Sequence, residues 1–143
     1  VNDVVNNPGT TAGHTTLLAV ARSVPDPELP VLTLGDLGVI RDLRLAGDGT
    51  VEVDLTPTYT GCPAMAVIAD DVRDALRQAG ADQVRIRTVL APAWTTDWMS
   101  ETGRRKLREY GIAPPGPAAH AAGGPVQLAF SVRCPQCGSP DTR

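Results

Sequence analysis

The sharpest chemical signal in the chain is Thr56-Pro57-Thr58-Tyr59-Thr60-Gly61-Cys62-Pro63, which leads into a strongly amphipathic stretch. Proline suits the first helical position, where its missing N–H costs nothing, so the spacing predicts Cys62 at or beside a helix N-cap. The unpaired amides and the positive end of the helix dipole would there favour thiolate over thiol. A thiolate attacks electrophiles or ligates iron and zinc. The alternative is a buried cysteine behaving as a small hydrophobe.

A second group is acidic. Pro25-Asp26-Pro27-Glu28-Leu29-Pro30 holds three prolines in six residues. Fixed φ angles and lost amide donors exclude a regular helix and predict a stiff loop that displays Asp26 and Glu28. Each could ligate a metal or act as a base, and each could equally be a solvated turn residue. Asp36, just before Leu37-Gly38, is a third carboxylate, expected to serve the turn into a strand.

Cys134-Pro135-Gln136-Cys137-Gly138 has the form of half a zinc-ribbon site, a knuckle whose amides point at both sulfurs. A closed tetrahedral site needs four ligands, and the six residues after Cys137 include neither Cys nor His. Zinc at Cys134 and Cys137 is therefore expected only if the tail is completed. His14 and His120 read as solvated loop residues. Trp94 and Trp98, as i, i+4 neighbours, can pack against the sheet or offer aromatic anchors for partner docking. The basic run Arg104-Arg105-Lys106-Leu107-Arg108 reads as a solvated helix face, pairing with Glu101 and Glu109 near a helix C-terminus.

The elements that must position these groups follow from periodicity. Thr15 and Thr16 precede Leu17, Leu18, Val20 and Ala21, a short helix with a hydroxyl cap that stops at Val24-Pro25. Alternation through Val39, Arg41, Leu43 and Leu45, and again through Val51, Val53 and Leu55, predicts two strands with one buried face each, joined by Gly47-Asp48-Gly49. From Ala64 to Ala79, Ile68, Val72, Ala75, Leu76 and Ala79 fall at i, i+4, i+7, i+8 and i+11, a helix ended by Gly80. Gln83 to Val89 gives a third strand. A further helix is expected over Asp97 to Tyr110, capped by Thr95 or Thr96 and stopped by Gly111.

These elements predict an α+β fold: a small sandwich with a three-stranded, or slightly larger, mixed sheet and helices packed on one side. Around it the chain divides into a disordered leader over 1–13, the α+β domain over 14–112 and a Pro/Gly linker over 113–125. A tail over 126–143 adds a C-terminal strand, Val126 to Val132, and the partial zinc-ribbon knuckle. Pro and Gly fill eight of the fifteen positions from Gly111 to Pro125, which marks the linker.

Composition narrows the function. The 143 residues carry 13 Lys plus Arg against 16 Asp plus Glu, a formal charge of −3. That balance provides no electrostatic footprint for nucleic acid and no attraction to an anionic membrane. No apolar run approaches the roughly 20 residues of a membrane span, and the first residues lack a signal-peptide layout. Three cysteines at these positions do not form a disulfide framework, so thiol or metal chemistry in the cytoplasm is expected.

Asp26-Pro27-Glu28, then Asp36-Leu37-Gly38, then Thr58 through Cys62-Pro63, in that order, resemble the small iron-sulfur assembly family of metal-sulfur cluster biosynthetic proteins. Each piece alone is weak; the ordered set is specific. Pro30-Val31-Leu32-Thr33, Tyr59-Thr60-Gly61, the Trp94 to Trp98 segment and the cysteine knuckle make the chain similar to the accessory subunits of phenylacetyl-CoA epoxidase systems within that family. The resemblance covers roughly Leu17 to the end. It implies a role in bacterial phenylacetate breakdown, beside a di-iron oxygenase subunit and a ferredoxin-type reductase subunit, in maturing or loading a metal centre on those partners. It places the acidic pair on Asp26 and Glu28 and the reactive cysteine on Cys62, with Thr58, Thr60 and Asp36 as supporting loop residues. It further implies that the chain is not itself the oxygenase, and that its cofactor is a transiently held iron or iron-sulfur cluster.

One cysteine cannot hold a cluster unaided, so ligands must come from a partner or from a second copy in a homodimer. Two other functions fit the residues. One is a thiol or redox enzyme using Cys62 as nucleophile, for which no histidine partner is evident. The other is a purely structural docking subunit in which Trp94, Trp98 and the basic helix matter.

Overall fold

The structure, a computed structural model, describes residues 13–117, 133–134 and 136–141. The elements run α1 (His14–Ser23), α2 (Leu34–Leu37), β1 (Ile40–Leu45), β2 (Val51–Leu55), α3 (Met65–Gln78), β3 (Val84–Thr88), a 3-10 turn (Thr96–Trp98) and α4 (Glu101–Glu109). The sheet order is β1-β2-β3, with β1 antiparallel and β3 parallel to the central β2. It is the mixed three-stranded α+β architecture expected from the sequence. The strand expected over Val126 to Val132 and the leader up to residue 12 lie outside the described residues.

Leu17 and Ala21 of α1 and Ile68, Val72 and Leu76 of α3 pack against Leu43, Val51, Val53 and Leu55 of the sheet to form the main core. The opposite sheet face is a ladder of charge. Arg44, Glu52, Asp54, Arg85 and Arg87 face one another across the strands, as the Arg44↔Glu52, Glu52↔Arg85 and Asp54↔Arg87 register requires. Asp54 is almost wholly buried beneath Arg87 and Arg44, each contributing two hydrogen bonds. Those bonds draw its carboxyl down to about 2.

Four local expectations are corrected. In β1 the register shifts between Ile40 and Asp42, so Ile40 is buried and Leu45 is 43% exposed, against simple alternation. The cap of α1 is Gly13, with Thr15 and Thr16 already inside the helix and no side-chain cap bond. The final helix is broken: Met99 and Ser100 are extended, and Ser100 caps α4 by accepting from the Gly103 amide. The start of the expected linker is also occupied, because Thr96 donates to the Gly116 carbonyl and Arg104 to that of Pro115.

Leu32, Met99 and Leu107 form a second, smaller core under the acidic loop. Asp36 ties its walls together. Its carboxylate completes a capping box with Thr33 at α2, accepts from the Ser100 hydroxyl at 3.0 Å, and meets Lys106 of α4 at 2.6 Å. Burial alone would raise this carboxyl; the Lys106 ammonium, the Thr33 amide and the two hydroxyls outweigh it and hold it below the ordinary range.

Candidate functional site

Three chain segments converge on one narrow cleft. Asp26 and Glu28 come from the proline-rich loop, Thr58 from the segment after β2, and Cys62 from the turn ahead of α3. Leu37, Val39, Leu55 and Ile68 supply its apolar walls. The cleft has about 20 Å³ of free space, room for a single water and far too little for a cluster. Any cargo must sit at its mouth.

The acidic loop is built by its own aspartate. Asp26 Oδ1 accepts from the amides of Glu28 (3.0 Å) and Leu29 (2.7 Å), while Asp26 N donates to Leu32 O (2.9 Å). These bonds replace the amide pairing that the prolines forbid. Asp26 is consequently buried, at 9% exposure, and Glu28 is exposed. The expectation of a loop displaying both carboxylates is corrected: Glu28 is displayed and Asp26 is folded in.

Cys62 is half-buried and carries a free thiol. It does not stand at the helix N-cap. That position belongs to Ala64, and Pro63 lies in a turn closed by the Met65 amide donating to the Cys62 carbonyl. The tight turn, with Gly61 at φ 85°, places the thiol at the cleft through the local chain path.

Tyr59 stands three positions before Cys62 in the same motif. Its phenol is pushed above the ordinary range by loss of water, then by negative charge on Cys62 and Glu28, and by a hydrogen bond with Cys62. Beside it, Thr56, Thr58, Thr60, Leu90, Ala93 and Trp94 line a small neighbouring cleft. Thr56 is 2% exposed, and among the described residues its hydroxyl finds no hydrogen-bond partner.

The remaining candidates fall elsewhere. Asp36 does not line the Cys62 cleft; it anchors α4, as described above. Trp94 donates its indole N–H to Leu37 O (2.7 Å) and packs against both cores, and Trp98 is half-buried beneath the Arg41 guanidinium. Both are committed to intramolecular packing. His14 Nε2 lies 2.7 Å from the Leu43 carbonyl, so it is a strut between α1 and β1 and not a free loop residue. At the tail, Cys134 and Gly138 close the expected turn through Gly138 N to Cys134 O (2.8 Å) and Cys134 N to Ser139 O (2.9 Å). The amides of Cys137 and Gln136, with the Cys137 thiol, lower the Cys134 thiol. Among the described residues no three His, Cys, Asp or Glu side chains come together to hold a metal ion.

The family model for "Iron-sulfur cluster assembly protein" matches residues 14–87, which contain every residue of the Cys62 cleft. The chain is 46% identical over 125 residues to an Escherichia coli (strain K12) protein named as one subunit of a "Putative 1,2-phenylacetyl-CoA epoxidase", covering 87% of this chain and 72% of that one. It is 37% identical over 92 residues to an "Fe-S protein maturation auxiliary factor" of Porphyromonas gingivalis (strain ATCC BAA-308 / W83), covering 64% and 87% of the two chains. Among solved structures, a domain of unknown function (DUF59) from Bacillus anthracis superposes with a TM-score of 0.60 at 26% identity, covering 65% of this chain and 89% of that one. Matched in sequence over the segment that builds the cleft and in fold over the sheet and helices around it, the chain belongs to the iron-sulfur cluster assembly protein family.

Proposed function

We propose that this protein is an accessory factor that takes iron or an iron-sulfur cluster as cargo at Cys62 and passes it to subunits of a phenylacetyl-CoA epoxidase system. The convergence of Cys62, Asp26, Glu28 and Thr58 from three separate segments on one cleft carries this reading. The likeness to an epoxidase subunit and to maturation factors supports it. The recipients are the di-iron oxygenase and ferredoxin-type reductase subunits that such a system employs, in the cytoplasm.

The chemistry favours brief custody over storage. The cleft provides one soft thiol and one exposed carboxylate, Glu28, while Asp26 already commits one oxygen to two amides. That set is too small to close a coordination shell, so the recipient, or a second copy of this chain, supplies the remaining ligands and can displace Cys62 from the metal.

The test is anaerobic reconstitution with ferrous iron and sulfide, followed by iron analysis and visible absorption of the full chain. Wild type is expected to take up iron, Cys62→Ser to lose it, and Glu28→Gln to retain less while keeping the fold. Equal uptake by wild type and Cys62→Ser would overturn the proposal.

A further inference from the structure

A second cavity, much larger than the Cys62 cleft, lies apart from it. It is an open groove of about 660 Å³ bounded by the end of α1, by α2, and by the start of α4. Gly38 and Ile40 line the groove, whereas Leu37 and Val39 line the Cys62 cleft, so the two sites lie back to back across this segment. Nothing in the proposed cargo chemistry uses it.

Two glycines build its walls. A Cβ on Gly35 would lie 2.9 Å from Arg22 Cβ and from its carbonyl oxygen, and one on Gly38 would overlap the Trp98 carbonyl oxygen. Their bare backbones let α2 draw in α1, which carries Arg22, and the Trp98 turn, whose ring meets Arg41 of β1. Arg22 projects from the last turn of α1, and Arg41 lies with its guanidinium carbon 3.5 Å from the centroid of the Trp98 ring. Stacking on the indole fixes the plane of the Arg41 fork before any ligand arrives.

The charge of the groove is positive although the chain is acidic. Asp36 is its one lining carboxylate, and the Lys106 ammonium, 2.6 Å away, neutralises it from behind. Arg22 and Arg41 are exposed. The rim adds the Thr102 hydroxyl at the first turn of α4; the Thr33 and Ser100 hydroxyls, which also line it, are engaged by Asp36 and by the caps of α2 and α4. No exposed large hydrophobic lines it, which removes an apolar ligand. The net charge of −3 gives no long-range pull on a nucleic acid, which removes a polyanion of that size.

We propose that this groove binds a phosphate-bearing small molecule of nucleotide size, held by Arg22 and Arg41. Guanidinium forks match phosphate oxygens in pairs, the Thr102 hydroxyl can add a further donor, and the volume lies within the range of small-molecule sites. The assignment is independent of what Cys62 does.

The experiment is an NMR amide-shift titration of the full chain with ADP and, separately, with inorganic pyrophosphate. Saturable shifts are expected at Arg22, Ser23, Arg41 and Thr102. Arg22→Gln or Arg41→Gln should weaken binding about tenfold, the worth of one charged hydrogen bond, while Arg77→Gln, on the exposed face of α3, should leave it unchanged. Binding of ADP well above pyrophosphate would add recognition of the base, and equal binding would assign the site to the phosphates alone. Because Arg41 also packs on Trp98, Arg41→Lys provides a folded control that keeps charge and loses the fork. Absence of saturable shifts would overturn the proposal, as would equal weakening by Arg77→Gln. So would an octaglutamate peptide that shifts these residues where ADP does not, because the groove would then belong to an acidic protein partner.

Discussion

Lys106 Nζ lies 2.6 Å from Asp36 Oδ2, joining α4 to the capping box of α2 across 70 residues of chain. The carboxylate is 9% exposed at its side chain and the ammonium 31%, so the pair works in a partly dry setting. Lys106→Met should leave a buried charge with only amide and hydroxyl partners and cost about 2–3 kcal/mol. Denaturant unfolding of the two proteins measures it. The sign with pH follows from the depressed carboxyl: its stabilisation is present above the unfolded value of 3.8 and is lost as pH falls through the lower folded value. The penalty of Lys106→Met should therefore shrink in acid, and a constant penalty from neutral pH to pH 2 would refute the pairing.

Asp54 sets a second acid limit. Its carboxyl, drawn to about 2 by Arg87 and Arg44, contributes stability above its unfolded value of 3.8 that disappears as pH falls through about 2. Asp54→Asn should cost about 1–2 kcal/mol at neutral pH, the partners being half-exposed and well solvated. The variant should also flatten the loss of stability between pH 4 and pH 2. An acid transition of unchanged steepness would show that the ladder on the sheet face contributes nothing there.

Thr56 offers the opposite sign. Its hydroxyl is buried without a hydrogen-bond partner among the described residues, so its desolvation is uncompensated there. Thr56→Val, near-isosteric and suited to an extended chain, should leave stability unchanged or raise it by about 1 kcal/mol. A fall of more than about 1 kcal/mol in thermal or denaturant unfolding would reveal a hydrogen bond to that oxygen.

Much of the site was legible before any fold was known. Cys62, Asp26 and Glu28 stand out because proline, glycine and cysteine restrict a chain locally, and a local restriction is written in adjacent residues. Tyr59 was legible as part of the same motif but not as a neighbour of the sulfur, because that contact depends on how the turn at Gly61 folds back. The burial of Asp26 was equally hidden: its Asx-type bonds follow from the loop conformation, and composition predicts only a solvated carboxylate. Ser100 was passed over as the α4 cap because Thr95 and Thr96 offer the same chemistry a few residues earlier.

Periodicity determined the three strands, the long helix α3 and their α+β class, since side-chain alternation and the 3.6-residue repeat are properties of neighbours along the chain. Long-range packing alone decided which of these residues meet. Asp36 could be read as a turn residue, yet Lys106 and Ser100 make it the joint between two helices; Trp98 could be read as an anchor, yet Arg41 and Gly38 turn it into a wall. Such roles depend on distances between residues tens of positions apart, and those distances exist only once the core of Leu17, Val53, Val72 and their neighbours has closed.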